Sequence, residues 1–593
     1  MERRPTRALI GVLTAAVTVL AAGCVAIPTD SSPQPMKSFD RRPAAPPPPR
    51  PDASMDPEAA VHAFLRATAD PTAAHSAARA FLTQDSGARW DDRGDTAVLS
   101  NINVLLESRT DNDARVRIVG DNTASLKVNG QLLPATGRVE ASLKLAHTSA
   151  GWRIDGPLPT GVLLDRTQFE STYRLVTLYF TDRGHQRLVG DPRWFFGGQV
   201  STSSVVARML AGPSIDLEQS VGSAIGPKTQ LGEVTRRDQG GVRINLTDGG
   251  APSDADRQLM AAQIVWTLSS ADAPAPYEVI LDGQPLLRDH PDGLQLAQVQ
   301  RYSPTALTGQ DEKLDVISGG TLSSVEPNAL RPVGGNLNDG RIVASASLSH
   351  DRSRVAAVRA ARPDRPTAAP DVGEVTDEPS TGGTASLVTG PYGGAVTQLD
   401  TGTTITRPSF GADSEIWAVV DGRPTRWAPG GADPRGAVAD TTELAALAHG
   451  PITDLQVSPD GVRVALIVGG QVIFAVIGTG DDGRLVLAHP RFAAFNIGNR
   501  AVALDWASPT TLVVGRDAAE TPVTQVPISG LPAAGLVTGN LAPPVRAVAA
   551  NLSATYVADT RGVLMLSSST RDRDQTWVDV PAAKGADMVP VLP

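Results

Sequence analysis

Two stretches of this 593-residue chain repeat one another: Ser349-His-Asp351-Arg-Ser-Arg354-Val355-Ala356 and Ser458-Pro-Asp460-Gly-Val-Arg463-Val464-Ala465. In both, a polar turn feeds an apolar strand, Val355–Val358 in the first and Val464–Val468 in the second. Three more turn-then-strand units share the layout: Ser409 leads to Ile416–Val420, Ser508 to Leu512–Val514 and Ser553 to Tyr556–Val557. The five serines are spaced by 60, 49, 50 and 45 residues. A period of ~45 residues, filled by short strands, is the signature of a β-propeller. Residues 300–593 are therefore expected to form an all-β propeller of five or six blades, with Leu314–Leu322 and Val563–Val578 available to close a sixth. The longest interval contains Ala360–Thr384, rich in Pro, Thr and Gly, which reads as an insertion between strands. Asp351 and Asp460 are expected to accept hydrogen bonds from turn amides.

A chain of this length exceeds one hydrophobic core, so further domains must precede the propeller. Asp56 can cap a helix that has Pro57 in its first turn. Val61, Phe64, Leu65 and Thr68 fall at helical spacing, and Ala74, Ala78, Phe81 and Leu82 do so again. Strand patterns follow: Ala114, Val116 and Ile118, then Val139, Ala141, Leu143 and Leu145, then Trp152 and Ile154. Residues 56–165 thus read as a small α+β domain resembling the NTF2-like kind.

A second α+β domain is expected over residues 173–290. Tyr173–Phe180 reads as a strand, and Val205, Val206, Met209 and Leu210 form a helical stripe ending at Gly212-Pro213. Val242, Ile244 and Leu246 alternate as a strand. Ser253 and Asp256 have the spacing of a capping box, before a helix that carries Met260, Ile264 and Leu268. Tyr277–Leu281 is then turned by Asp282-Gly283, a strong hairpin dipeptide.

The amino terminus is a targeting segment. Arg3, Arg4 and Arg7 form a basic region, and Ala8 to Ala22 follows without a charge. Those fifteen residues are short for a spanning helix, which needs ~20, but suit an export signal. Ala21, Ala22 and Gly23 lead into Cys24, the sole cysteine of the chain. This resembles a bacterial lipobox, although Leu20 sits one place further from Cys24 than in the strictest pattern. The resemblance implies cleavage between Gly23 and Cys24, with S-diacylglycerol and N-acyl groups on Cys24. Cleavage after residue 23 removes three Arg and one Glu, taking the net charge from −10 to −12. Acyl chains supply membrane affinity without a basic patch. Residues 24–55, with Pro33, Pro35 and Pro46–Pro49, read as an extended tether.

Motifs in the second domain resemble the GerMN domain: Leu210-Ala-Gly-Pro213, Ser223-Ala-Ile-Gly-Pro227, Gln263-Ile-Val-Trp-Thr-Leu268 and Ile280-Leu-Asp-Gly283. Lipobox, N-terminal domain, GerMN domain and propeller, in that order, resemble the LpqB-type lipoproteins of actinobacteria along nearly the whole chain. That resemblance implies a noncatalytic accessory of a two-component system, lipid-anchored on the outer face of the cell membrane. The implied partner is the extracellular domain of a sensor histidine kinase.

The motifs that suggest chemistry are decoys. Gly478-Thr-Gly480-Asp-Asp-Gly483 satisfies GxGxxG, but an apolar strand, Leu485–Leu487, follows where a phosphate site needs a helix. In Gly222-Ser-Ala-Ile-Gly226-Pro-Lys228-Thr229 a proline separates glycine from lysine, spoiling the phosphate-loop spacing. The eight histidines (62, 75, 147, 185, 290, 350, 449, 489) show no metal-ligand spacing, and His62 reads as a surface or core-edge residue of the first helix. No Gly-x-Ser-x-Gly elbow occurs, one cysteine makes no intrachain disulfide, and no basic stripe suggests nucleic acid. The expected catalytic, cofactor and metal residues are therefore none. Two competing functions stay open: a cell-surface hydrolase or glycan-binding protein using the propeller pocket, and a solute-binding lipoprotein. Fold alone does not separate them from an adaptor.

Overall fold

The structure, a computed structural model, describes residues 47–306, 313–360, 384–431, 435–567 and 575–593. The signal segment, Cys24, most of the tether and nearly all of the Ala360–Thr384 insertion lie outside them. The end of the tether that is described already belongs to the first domain: Met55 packs on its core, and the backbone at Ala53 lies against Gly151.

In the N-terminal domain, helix Pro57–Ala67 is capped as expected, with the Ala59 amide donating to Asp56 Oδ1 at 2.7 Å. Its apolar face lies on a six-stranded sheet, in which Thr96–Arg109, Asp113–Leu126 and Arg138–Thr148 are antiparallel neighbours. Phe64, Leu65, Val116, Ile118, Leu143, Leu145, Trp152 and Ile154 share one buried cluster.

The second helical stripe departs from its expected form. Ala73, Ala74 and His75 have φ of 49°, 54° and 53°, a left-handed turn. Left-handed backbone costs roughly 1–2 kcal/mol per L-residue. As a consequence Ala74 is exposed and His75 is buried in its place, while Ala78, Phe81 and Leu82 take the core positions expected of them.

The middle domain holds a four-stranded sheet, a three-stranded sheet, and the helix Asp254–Ser270 with its Ser253–Asp256 capping box formed. Strands Val242–Thr247 and Tyr277–Leu281 run parallel, joined by that helix. Ile244 and Leu246 of the sheet and Ile264, Val265 and Leu268 of the helix are fully buried in one core.

Among the described residues, the segment 315–591 forms six four-stranded antiparallel sheets. Five begin with Ile342–Leu348, Ser409–Phe410, Ile452–Val457, Ala501–Ser508 and Ala547–Ala550, one for each repeat unit. The sixth is closed differently from the sequence expectation. Gly562–Leu566 and Trp577–Lys584 belong to the blade of Tyr556, and Val589–Val591 pairs with Asp315–Ser318 to complete the last blade. The first strands of successive blades touch one another around a closed ring, with Val589–Val591 between the last and the first.

Two of the serine-led turns are built alike. Ser349 Oγ donates to Asp351 Oδ1 at 2.6 Å and accepts from the Arg354 amide at 3.0 Å. Ser458 Oγ makes the same pair, donating to Asp460 and accepting the Arg463 amide at 3.0 Å. Asp351 and Asp460 accept from the amides of Ser353 and Val462, as expected. The other units vary: Ser409 lies on its strand, and Asn551 caps the turn that contains Ser553. The GxGxxG segment is a hairpin turn between Gln471–Thr479 and Leu485–Phe492.

Candidate functional site

An inner strand of a propeller has a neighbour on one side only, so part of its backbone faces the central channel unpaired. Here side chains from the preceding blade supply the missing partners. Ser409 Oγ accepts the Val457 amide at 2.9 Å, Asp454 Oδ2 accepts the Leu504 amide at 3.2 Å, and Asp505 Oδ2 accepts the Ala550 amide at 3.1 Å. Arg407 lies between the two carboxylates, 3.6 Å from each, and donates to the carbonyl of Leu504. Burial pushes the Asp505 carboxyl up, against the pull of Arg407. Burial lowers the Arg407 guanidinium, but Asp454 and Asp505 outweigh it and hold the group firmly charged. The ion cluster thus ties three blades together.

Beside this plug the channel holds a cavity of about 40 Å³, lined by Ser347, Ser409, Gln456, Asp505, Asn551 and His350 among others. That volume takes a few waters, whereas sites for organic ligands run to several hundred Å³. At the cavity's edge, burial and then the nearby Arg187 push the His350 imidazole below its usual range, against Asp351.

Arg187 belongs to the middle domain, which sits on the face of the propeller that carries the serine-led turns. It ion-pairs with Asp413 and donates to the Ala412 carbonyl at 3.3 Å. Arg463, held by Asp460 at 3.0 Å, donates to the Gly190 carbonyl at 2.7 Å. Ser220 Oγ donates to the Ile477 carbonyl at 2.7 Å, and Val462 and Val476 of the propeller join the core cluster of the middle domain.

All three domains meet at the strand Leu188–Phe196. Asp191 and Arg193 form a bidentate pair at 2.6 and 3.0 Å, with side chains 3% and 1% exposed. Arg193 also donates to the Asn129 carbonyl of the N-terminal domain at 2.8 Å, while Asp191 accepts the amide and hydroxyl of Ser214. The next residue, Trp194, reaches both neighbours: its amide donates to the Gly130 carbonyl at 2.7 Å and its indole to the Ser529 carbonyl of the propeller at 3.1 Å. Gln131 Nε2 bonds both oxygens of Asp216 at 2.9 Å. Burial raises the Asp216 carboxyl, but Ser214, Arg491, Arg463 and Gln131 together hold it below the usual range.

Two glycines make these approaches possible. Gly130 has φ +85°, and a Cβ there would lie 2.8 Å from the Trp194 carbonyl oxygen. Gly530 has φ +84°, and its Cβ would lie 2.0 Å from the Leu132 carbonyl oxygen.

The sequence motifs of the middle domain prove to be scaffolding. Gln263 Oε1 accepts the Ala224 amide at 2.9 Å, so the Gln263–Leu268 motif anchors the Ser223–Pro227 loop. The Leu210–Pro213 motif ends a helix and delivers Ser214 to Asp191. His62 is exposed on its helix. Gly23 and Cys24 lie outside the described residues. Among the described residues no three His, Cys, Asp or Glu side chains gather as a metal centre, and no helix is long and apolar enough to cross a membrane.

Family models match the chain in three consecutive blocks. Residues 48–170 match the N-terminal domain of lipoprotein LpqB, residues 177–287 the "sporulation and spore germination" domain, and residues 320–593 the LpqB β-propeller domain. Curated relatives align end to end. Lipoprotein LpqB of Mycolicibacterium smegmatis is 37% identical over 604 residues, covering 99% of each chain. The Rhodococcus opacus protein of that name is 34% identical over 99% of this chain and 98% of its own. That of Mycobacterium tuberculosis is 35% identical over 96% of this chain and 97% of its own. Three domains in this order, with full-length relatives of this similarity, place the chain in the LpqB lipoprotein family.

Proposed function

We propose that the protein is a noncatalytic adaptor, anchored by acyl groups on Cys24 at the outer face of the cell membrane, that modulates a sensor histidine kinase by touching its extracellular domain. The observation that carries this reading is the joining of three domains into one body, whose channel is plugged by Arg407 and leaves about 40 Å³. Such a body offers rigid loops for recognition and little room for a substrate. The tether outside the first domain, residues 24–46, at about 3.1 Å each when extended, allows a reach of up to about 70 Å. Confinement to the membrane surface raises the effective concentration of a membrane-embedded partner, so weak contacts suffice. The hydrolase alternative draws no support from a cavity of this size.

Crosslinking in cells followed by mass spectrometry tests the partner. Recovery of peptides from a kinase extracellular domain is expected, with altered kinase output in a strain lacking the lipoprotein. Absence of kinase peptides together with unchanged output would sink the adaptor reading. The anchor has its own test. Cys24→Ala should leave the precursor unprocessed or release folded protein from the membrane fraction, and a variant that fractionates and is processed like the wild type would remove lipidation from the account.

A further inference from the structure

The segment 71–79 of the N-terminal domain carries a conflict between local sequence and structure. Its sequence opens as a right-handed helix should. Asp70 Oδ1 accepts the Thr72 amide at 2.9 Å, Pro71 at the cap has right-handed backbone with φ −79°, and Ala73 and Ala74 are strong helix formers. Ala73, Ala74 and His75 nonetheless lie in left-handed backbone. None of the three is glycine, so each is strained where it stands.

What holds the strained turn is a compact set of contacts around one imidazole. His75 is 8% exposed, and its Nδ1 lies 2.8 Å from Asp92 Oδ2. Its ring packs on Trp90 with centroids 5.7 Å apart. Arg79 closes the set: Nη2 donates to Asp92 Oδ1 at 2.8 Å, Nε donates to the Ala74 carbonyl at 2.7 Å, and the guanidinium lies 5.0 Å over Trp90. Thr72, Ala73, Ala74 and Ser76 are all exposed, so nothing else in the described molecule covers the turn.

We propose that residues 71–79 form a two-state switch, in which a left-handed turn is latched by His75, Asp92, Arg79 and Trp90 and relaxes to a right-handed helix when the latch opens. In the relaxed state Ala74 would fall in line with Ala78 on the core face, as the apolar spacing directs, and His75 would leave Asp92. The switch adjoins the three-domain junction. Ala69, two residues before Pro71, packs in one cluster with Phe169, Tyr173, Trp194 and the propeller residue Leu531. Opening the latch therefore acts at the point where the N-terminal domain meets the rest of the body.

Glycine substitutions read the handedness by sign. In a right-handed helix Ala→Gly destabilises, whereas in a left-handed turn it relieves strain. In the purified full-length protein, Ala73→Gly and Ala74→Gly should each raise the melting temperature by about 1–3 °C. In a His75→Ala background, where the latch is open, Ala74→Gly should lower it by a similar amount. Asp92→Asn is the milder background, keeping the ring in place should His75→Ala fail to fold. A lower melting temperature for both glycine variants in the wild-type background would overturn the left-handed turn. A rise in both backgrounds would overturn the switch, leaving a permanent turn with one state.

Discussion

Asp191 and Arg193 sit two residues apart on one strand, which puts both side chains on the same face and lets them pair inside the molecule. Neither could be buried alone. Asp191→Ala would leave the Arg193 guanidinium, 1% exposed, without its carboxylate, and should cost about 3–5 kcal/mol in chemical denaturation. The double variant Asp191→Leu with Arg193→Met is expected to cost far less, and equal losses for the single and double variants would contradict this assignment. A second residue acts through pH. Hydrogen bonds from Ser349 and then Ser353 lower the Asp351 carboxyl to about 2, below its unfolded value of about 3.9. A depressed carboxyl stabilises above its unfolded pKa, and the contribution fades as pH falls through the folded one. Between about pH 4 and pH 2, therefore, the wild-type turn should lose stability that Asp351→Asn lacks throughout, and parallel acid-denaturation curves for the two proteins would show the turn to be uncoupled from folding.

At the scale of elements, the closing strand carries more than its length suggests. Val589–Val591 completes the last blade and brings Val591 and Leu592, 3% and 6% exposed, into the core. Truncation after Met588 should therefore cost about 3–6 kcal/mol, from two buried aliphatic side chains at about 1.5–3 kcal/mol each, and an unchanged urea midpoint would show the ring to be closed without them. The sequence makes five blades visible because in each a local turn joins the first strand to the second, and the Ser349 and Ser458 turns keep their wording since the same serine–aspartate hydrogen bonds build both. It hides the sixth because Val589–Val591 pairs with Asp315–Ile317, at the far end of the propeller sequence, with no local pattern to announce the match. The left-handed turn at Ala73–His75 is hidden for the opposite reason. Its local signals are clear and point to a right-handed helix, and the burial of His75 against Asp92 and Trp90 overrides them. In the channel, Arg407, Asp454 and Asp505 stand on separate blades, so their meeting is a product of the closed ring and of no motif.

For the whole molecule the junction decides whether three domains behave as one. Its contacts are small in number but each crosses a domain boundary: Trp194 to Gly130 and Ser529, Gln131 to Asp216, Arg463 to Gly190. The propeller meets the N-terminal domain directly where Gly530 comes up against the Leu132 carbonyl, and Leu531 enters the aromatic cluster of Phe169 and Trp194 beside it. A valine in place of Gly530 could keep neither the left-handed backbone nor that approach, since its Cβ alone would stand 2.0 Å from an oxygen. The turn joins strands Val523–Pro527 and Ala534–Gly535 and Gly530 itself pairs with neither, so Gly530→Val should leave the blade folded while prising it from the N-terminal domain. Loss of coupling has a calorimetric signature. The wild-type chain should melt with its N-terminal domain and propeller in one overlapping transition, and Gly530→Val should resolve a separate, earlier transition for the N-terminal domain. A variant that keeps a single transition, with only a uniform shift in temperature, would mean that the middle domain alone holds the body together and that the glycine contact contributes packing without coupling.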